Sequence, residues 1–197
     1  MASLTIRGPF LPHNPYLQTS WRKEPSWYGG LFVDAFVHAS AMLRTVLGDI
    51  DIKSVIAYTS KQAEHTPGEI DTMTGTFKFK NNVQCALSVT YACAVPFFEF
   101  EITGTEGSVV LQRQNLDSGS PGYQISDMIP SQQTMQSQFE CGCLDREFIA
   151  FAKSFQQLRD PNFKLNDIVD INTPQEALED LVFVESCLES GRRPKKN

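Results

Sequence analysis

The sequence predicts an α+β fold: a sheet of several antiparallel strands with helices packed on one face. Three observations predict it. An apolar stripe of helical period follows a double glycine near the N-terminus. Segments alternating apolar and polar residues fill the middle of the chain, and two further helical patterns close it.

In order, "ASLTIRGPF" alternates as a strand does and is stopped by Pro9 and Pro12. Residues 11–28, with Pro12, Pro15 and Pro25, read as an ordered loop and not a helix. From Gly30 to Leu47 the period changes. Phe32, Phe36, Ala39, Leu43, Val46 and Leu47 share one arc at about 100° per residue, and Gly48 ends the helix. Strands follow: "SVIAY", then "DTMTGTFKFK" and "VQCALSVTYAC" around an Asn81-Asn82 turn, then "FFEFEITG" and "SVVLQR" around Gly107. Residues 114–138, rich in Gln, Ser and Gly, read as a long loop with one further strand at "YQISDMI". "DREFIAFAKSFQQL" spaces Phe148, Phe151 and Phe155 for a helix. The last helix opens on Thr173 as N-cap, with Pro174 and Glu176 completing a capping box, and stops at Gly191.

At 197 residues, 41% of them hydrophobic, the chain is long enough for one domain, residues 1–197, with a sizeable core. A net charge of −6 argues against nucleic acid or an anionic membrane as main partner. No apolar run reaches the roughly 18–20 residues that span a bilayer. The N-terminus has no secretory signal, and five scattered cysteines read as reduced thiols of a cytoplasmic protein. Cys141 and Cys143 have no His or Cys partners at zinc spacing, so no metal is expected. There is no G-x-G-x-x-G and no G-x-x-x-x-G-K-[ST], so no nucleotide cofactor is expected either.

The candidate site lies in "WYGGLFVDAFVH". Asp34 and His38 are one helical turn apart, and a carboxylate beside an imidazole orients the ring for acid–base work. The same spacing describes an exposed ion pair contributing a few tenths of a kcal/mol. Trp21, Arg22, Trp27, Tyr28 and Met42 flank the pair as candidate substrate-binding residues, where aromatic side chains wall a pocket or cover a core edge.

Taken in order, "TSWRKEPSWYGGLFVDAFVHASAMLRTVLG" resembles the start of the C-terminal domain of the Gfo/Idh/MocA oxidoreductases. The matching positions are Trp21-Arg22, Gly29-Gly30, Asp34, His38 and Leu43-Arg44 through Gly48. "GEIDTMTGTFKFKNN", "EITGTEGSVVL" and "ALEDLVFVESCLESGRR" are similar to later strands, the glycine turn and the last helix of that domain. The resemblance implies a mixed, largely antiparallel, open-faced sheet with helices packed on one face, whose exposed face makes a homodimer. It also implies a substrate site in which Asp34 and His38 contact substrate and assist proton transfer. The Rossmann domain and Glu-Lys-Pro motif of the family have no counterpart in this sequence, so the resemblance is to a stand-alone C-terminal domain.

Two functions are compatible with these features. The first is a cofactor-independent, non-redox enzyme on an apolar small molecule: an isomerase or cyclase, down to a pericyclic ring closure in natural-product biosynthesis. The second is a non-catalytic binding or dimerisation module, or the substrate-domain part of an NAD(P)-dependent dehydrogenase.

Overall fold

The computed structural model describes residues 1–25, 28–115, 120–130, 132–140, 148–149, 151–153 and 173–192. Among them, eight strands form one sheet: β1 (Ala2–Arg7), β2 (Ile50–Ser60), β3 (Thr72–Phe79), β4 (Gln84–Thr90), β5 (Phe97–Thr103), β6 (Ser108–Asn115), β7 (Pro121–Met128) and β8 (Met135–Glu140). Their order across the sheet is β2-β3-β4-β1-β5-β6-β7-β8. All neighbours are antiparallel except β1 and β4, which run parallel from Ala2↔Cys85 to Arg7↔Thr90. The mixed, mostly antiparallel open sheet is therefore the one expected.

Alternation explains which face is which, because successive side chains of a strand point to opposite sides. Leu4, Met73, Phe77, Phe79, Cys85, Leu87, Val89 and Phe100 turn inward and are buried. They share one core with the helix α2 (Val37–Leu47) and the C-terminal helix α3 (Pro174–Arg192), while a one-turn helix α1 (Ser20–Lys23) buries no residue. Phe183 of α3 is the centre of that layer: its ring lies 4.7 Å from Phe77 and 6.0 Å from Phe36. Each such buried ring contributes about 1.5–3 kcal/mol relative to exposure.

The opposite face is polar. One row of paired residues crosses all eight strands: Tyr58, Thr74, Ser88, Thr5, Glu99, Gln112, Gln124 and Gln138. Gln112 donates to Glu99 at 2.5 Å, and Gln114 to Gln124 at 2.7 Å.

The Asn81-Asn82 turn, the Gly48 helix stop and the Thr173 cap form as expected. Asn82 has φ 67°, the Gly48 amide donates to the Arg44 carbonyl, and the Glu176 amide to Thr173 Oγ1 at 3.1 Å. Four expectations need correction. Residues 11–28 contain a 3₁₀ turn (Pro15–Gln18) and α1, because the prolines lie outside both turns or at their start. The 114–138 stretch is mostly sheet: β6 runs to Asn115, and β7 and the start of β8 follow. Its glutamines face solvent on strands that bury little, so apolar alternation is faint. Gly191 does not stop α3, which continues to Arg192. A Cβ on Gly191 would stand 2.5 Å from Thr59 Cγ2, so close packing on β2 is why glycine sits there. Val46 is 52% exposed, whereas Ser40, off the predicted arc, is fully buried with its hydroxyl donating to Asp180. Of the predicted helix over 145–158, residues 148–149 and 151–153 are helical, with Phe148 and Phe151 exposed; Phe155 and the rest lie outside the described residues.

Candidate functional site

The Gly29-Gly30 turn starts the site. Gly30 has φ 41°, a left-handed backbone that a Cβ would strain. The Phe32 amide donates to the Gly29 carbonyl at 2.8 Å, and the chain enters a π turn, Phe32–Phe36, before α2 begins. Such turns insert a residue into the helical ladder and occur frequently at functional sites. Here the π turn keeps Phe32 and Phe36 fully buried. It presents Val33 and Asp34, with Val37 and His38 of α2, to an open cleft of about 520 Å³. Trp21 of α1 and Pro25 form the other wall, and Gly30 lies between the two.

Asp34 is committed to Arg22. Arg22 Nε donates to Oδ2 at 2.7 Å and Nη2 to Oδ1 at 3.0 Å, a two-bond fork between side chains 16% and 24% exposed. The same guanidinium lies 3.9 Å from the centre of the Trp21 ring. Asp34 and His38 share the cleft, but no hydrogen bond or ion pair joins them. The physical reason is competition: a planar guanidinium offers a carboxylate two charge-assisted bonds where an imidazole offers one. Among the described residues His38 makes no hydrogen bond or ion pair, and it is exposed. It is therefore the titratable group at this cleft that is free to meet a ligand.

Behind the site, Tyr91 packs edge-on against Phe32 and Phe10, each ring centre 5.1 Å away. Burial first, and the Asp34 charge second, raise the Tyr91 phenol above its ordinary pKa, so it stays neutral.

The other expected residues divide. Trp21 lines the cleft; Arg22 stands behind it, holding Asp34. Tyr28 turns away: its hydroxyl shares a 3.0 Å hydrogen bond with Thr59 Oγ1, and the Arg192 guanidinium lies 4.9 Å from its ring centre. Met42 packs against the core rather than the cleft. Trp27 lies outside the described residues. Pro25, Val33 and Val37 were not expected at the site; helical spacing from Asp34 could have found the two valines, but nothing local signals Pro25. Among the described residues no group of three or more His, Cys, Asp or Glu side chains could hold a metal, and no helix is long and apolar enough to cross a membrane.

The described residues thus form an eight-stranded, mostly antiparallel open sheet with a cleft at the start of its first long helix. Residues 1–196 match the family described as "Oxidoreductase family, C-terminal alpha/beta domain", of the Gfo/Idh/MocA group, and the chain belongs to that family. It is 28% identical over 194 residues to Dehydrogenase FPY6 of Fusarium mangiferae, covering 95% of this chain and 51% of that protein. It is 27% identical over 196 residues to an uncharacterized protein of Saccharomyces cerevisiae, covering 94% and 52%. Among solved structures, an oxidoreductase of Thermotoga maritima superposes with TM-score 0.72 and 25% identity over 96% of this chain and 51% of that one. The WlbA dehydrogenase of Bordetella pertussis, solved with NADH and UDP-GlcNAcA, shares the fold at TM-score 0.69 and 18% identity, covering 98% and 51%. The chain spans about half the length of the curated relatives it matches.

The family implies a nicotinamide dinucleotide, and the described residues do not make its seat. A pyrophosphate seat needs glycine backbone open to the ligand at a helix N-terminus. Gly29 is buried, and the Pro25 ring covers Gly30 at 3.5 Å from where a Cβ would stand.

Proposed function

We propose that this chain is the substrate-side domain of an oxidoreductase, and that its cleft binds a small hydroxylated substrate whose proton His38 accepts. The observation that carries this reading is the exposed imidazole of His38, unpartnered among the described residues, in a cleft where the Asp34 carboxylate is already neutralised by Arg22. In such a place the imidazole is within reach of a bound ligand and can accept its proton. Trp21 and the Val33–Val37 wall supply apolar contact, which orients a ligand against that nitrogen. The relatives lend the substrate class: WlbA was solved with UDP-GlcNAcA, and a levoglucosan dehydrogenase with levoglucosan. On this reading a hydride acceptor comes from a nucleotide-binding domain, and the chain by itself takes up no dinucleotide.

Support for the cofactor-independent cyclase is weaker. Such a reaction relies on shaping a flexible apolar substrate within walls that surround it, and this cleft is open.

Thermal melting against a panel of ligands tests the proposal. Levoglucosan, UDP-sugars or cyclic polyols at millimolar concentration should raise the Tm of the chain, and His38→Ala should remove the rise. NAD(P)H alone should leave it unmoved. Stabilisation by apolar polyenes and by none of the sugars would overturn the reading in favour of the cyclase.

The same reading gives the polar sheet face to a second copy of the chain. Small Thr and Ser side chains on β1, β3 and β4, beside exposed Ile56 and Tyr58, leave that face flat enough for sheet-on-sheet packing. Sedimentation equilibrium should give a dimer, and Thr74→Arg a monomer of unchanged circular dichroism.

A further inference from the structure

We infer that Asp34 is a positioning residue, latching a short strap, residues 18–24, over the cleft so that Trp21 becomes one of its walls. The strap has firm ends. Leu17 before it is 5% exposed, and the Pro25 ring after it packs on Gly30 and Gly68, 3.5 and 3.3 Å from where their Cβ atoms would be.

Between these anchors the strap is poorly packed. Helix α1 buries no residue, and Trp21 is 54% exposed. A void of about 20 Å³ remains between Trp21, Arg22, Pro25, Leu31 and Asp34, enough for one water and not for a side chain. Apolar contact therefore does little to hold α1 down, and the fork between Arg22 and Asp34 crosses the gap instead. Arg22 also donates to Thr19 Oγ1 at 3.3 Å and stacks on Trp21 at 3.9 Å. One guanidinium thus links the strap, the aromatic wall and the site helix. The carboxylate of Asp34 sets where Trp21 stands, and proton transfer is left to His38. Nothing in this inference depends on which ligand enters the cleft.

Hydrogen exchange on the full chain tests it. The amides of Arg22, Lys23 and Glu24, bonded to the Thr19 and Ser20 carbonyls, report on strap order. Asp34→Asn and Arg22→Leu should each speed their exchange by about tenfold, the worth of a partly exposed charge-assisted pair. Exchange in α2 and the Tm should stay as in the parent chain. Arg22→Lys, which keeps the charge without the fork, should fall between, and Arg22→Asp combined with Asp34→Arg should restore slow exchange. Should Asp34→Asn lower the Tm, Arg22→Leu, altered on the strap itself, decides. Unchanged exchange at the three amides in Arg22→Leu overturns the inference, and so does an equal acceleration throughout α2.

Discussion

Arg44 of α2 donates to Asp180 of α3 at 3.0 Å, and this pair is the polar hinge-pin of the helical layer. Its other bonds run to the Glu176 side chain at 2.7 Å and the Glu176 carbonyl at 2.9 Å, while Ser40 donates to the same Asp180 oxygen at 3.1 Å. The Arg44 side chain is 8% exposed and that of Asp180 9%. Burial pulls the Arg44 pKa down, but Asp180 and Glu176 more than offset it, so the guanidinium is held charged. Arg44→Met strands a buried carboxylate and should cost about 3 kcal/mol in urea denaturation. Arg44→Met with Asp180→Leu should recover at least half of that, because the carboxylates then left without Arg44, Glu176 and Asp49, are exposed to water.

Asp71 should make the fold acid-sensitive. It is wholly buried, and its carboxylate accepts from the amides of Gln62 and Ala63 and the hydroxyls of Thr66 and Thr72, at 2.7–3.0 Å. Burial alone would raise its pKa; those four bonds outweigh it and hold the carboxyl below its ordinary value. A depressed folded pKa contributes stability above the unfolded value, near ~3.9, and that contribution is lost as pH falls through the folded one. Asp71→Asn should cost about 2–3 kcal/mol at pH 7. The difference between variant and parent should shrink below about pH 4. Urea titrations at pH 7 and pH 3 measure both.

Gly191 and Thr59 should behave as a coupled pair. Gly191→Ala drives a methyl into Thr59, whose hydroxyl also bonds Tyr28, and overpacking of this kind costs about 1–3 kcal/mol. Adding Thr59→Ala should return most of that loss. Additive effects in the double-mutant cycle would show that α3 can shift off β2.

Gly30→Ala isolates backbone strain. The nearest Pro25 atom leaves room for a methyl, so the cost is the left-handed φ alone, about 1–2 kcal/mol. Gly30→Asn should cost less, since Asn tolerates this region. Thermal denaturation of the two variants side by side gives the ranking.

Much of the fold is legible in the sequence where one side of an element is buried. Met73, Phe77 and Phe79 alternate cleanly because β3 lies between β2 and β4 under the helices. Legibility fades toward β8, whose six residues are all exposed and carry no apolar period to read. At the site, the spacing of Asp34 and His38 makes them neighbours one helical turn apart, and both line one cleft. It does not reveal that Arg22, twelve residues upstream, takes the carboxylate. That contact depends on how a proline-rich segment folds back across the helix, which local periodicity does not encode. The capping box shows the same limit: Thr173 caps α3, while the Glu176 side chain goes to Arg44.

The position of β1 has a consequence for how the chain assembles. To one side of it, β2, β3 and β4 form a meander of sequence neighbours; to the other, β5 through β8 form a second. Each meander can zip up from its own turns at little entropic cost, because its pairings are local. Ala2–Arg7 is different, since its partners are Cys85–Thr90 on one flank and Phe97–Ile102 on the other. β1 precedes both partners in the sequence, so it must wait for both and then slot between them as a keystone. Pulse-labelled refolding should find the amides of β1 among the last in the sheet to gain protection. A chain shorn of Ala2–Arg7 should be left with two small sheets, each presenting a raw edge.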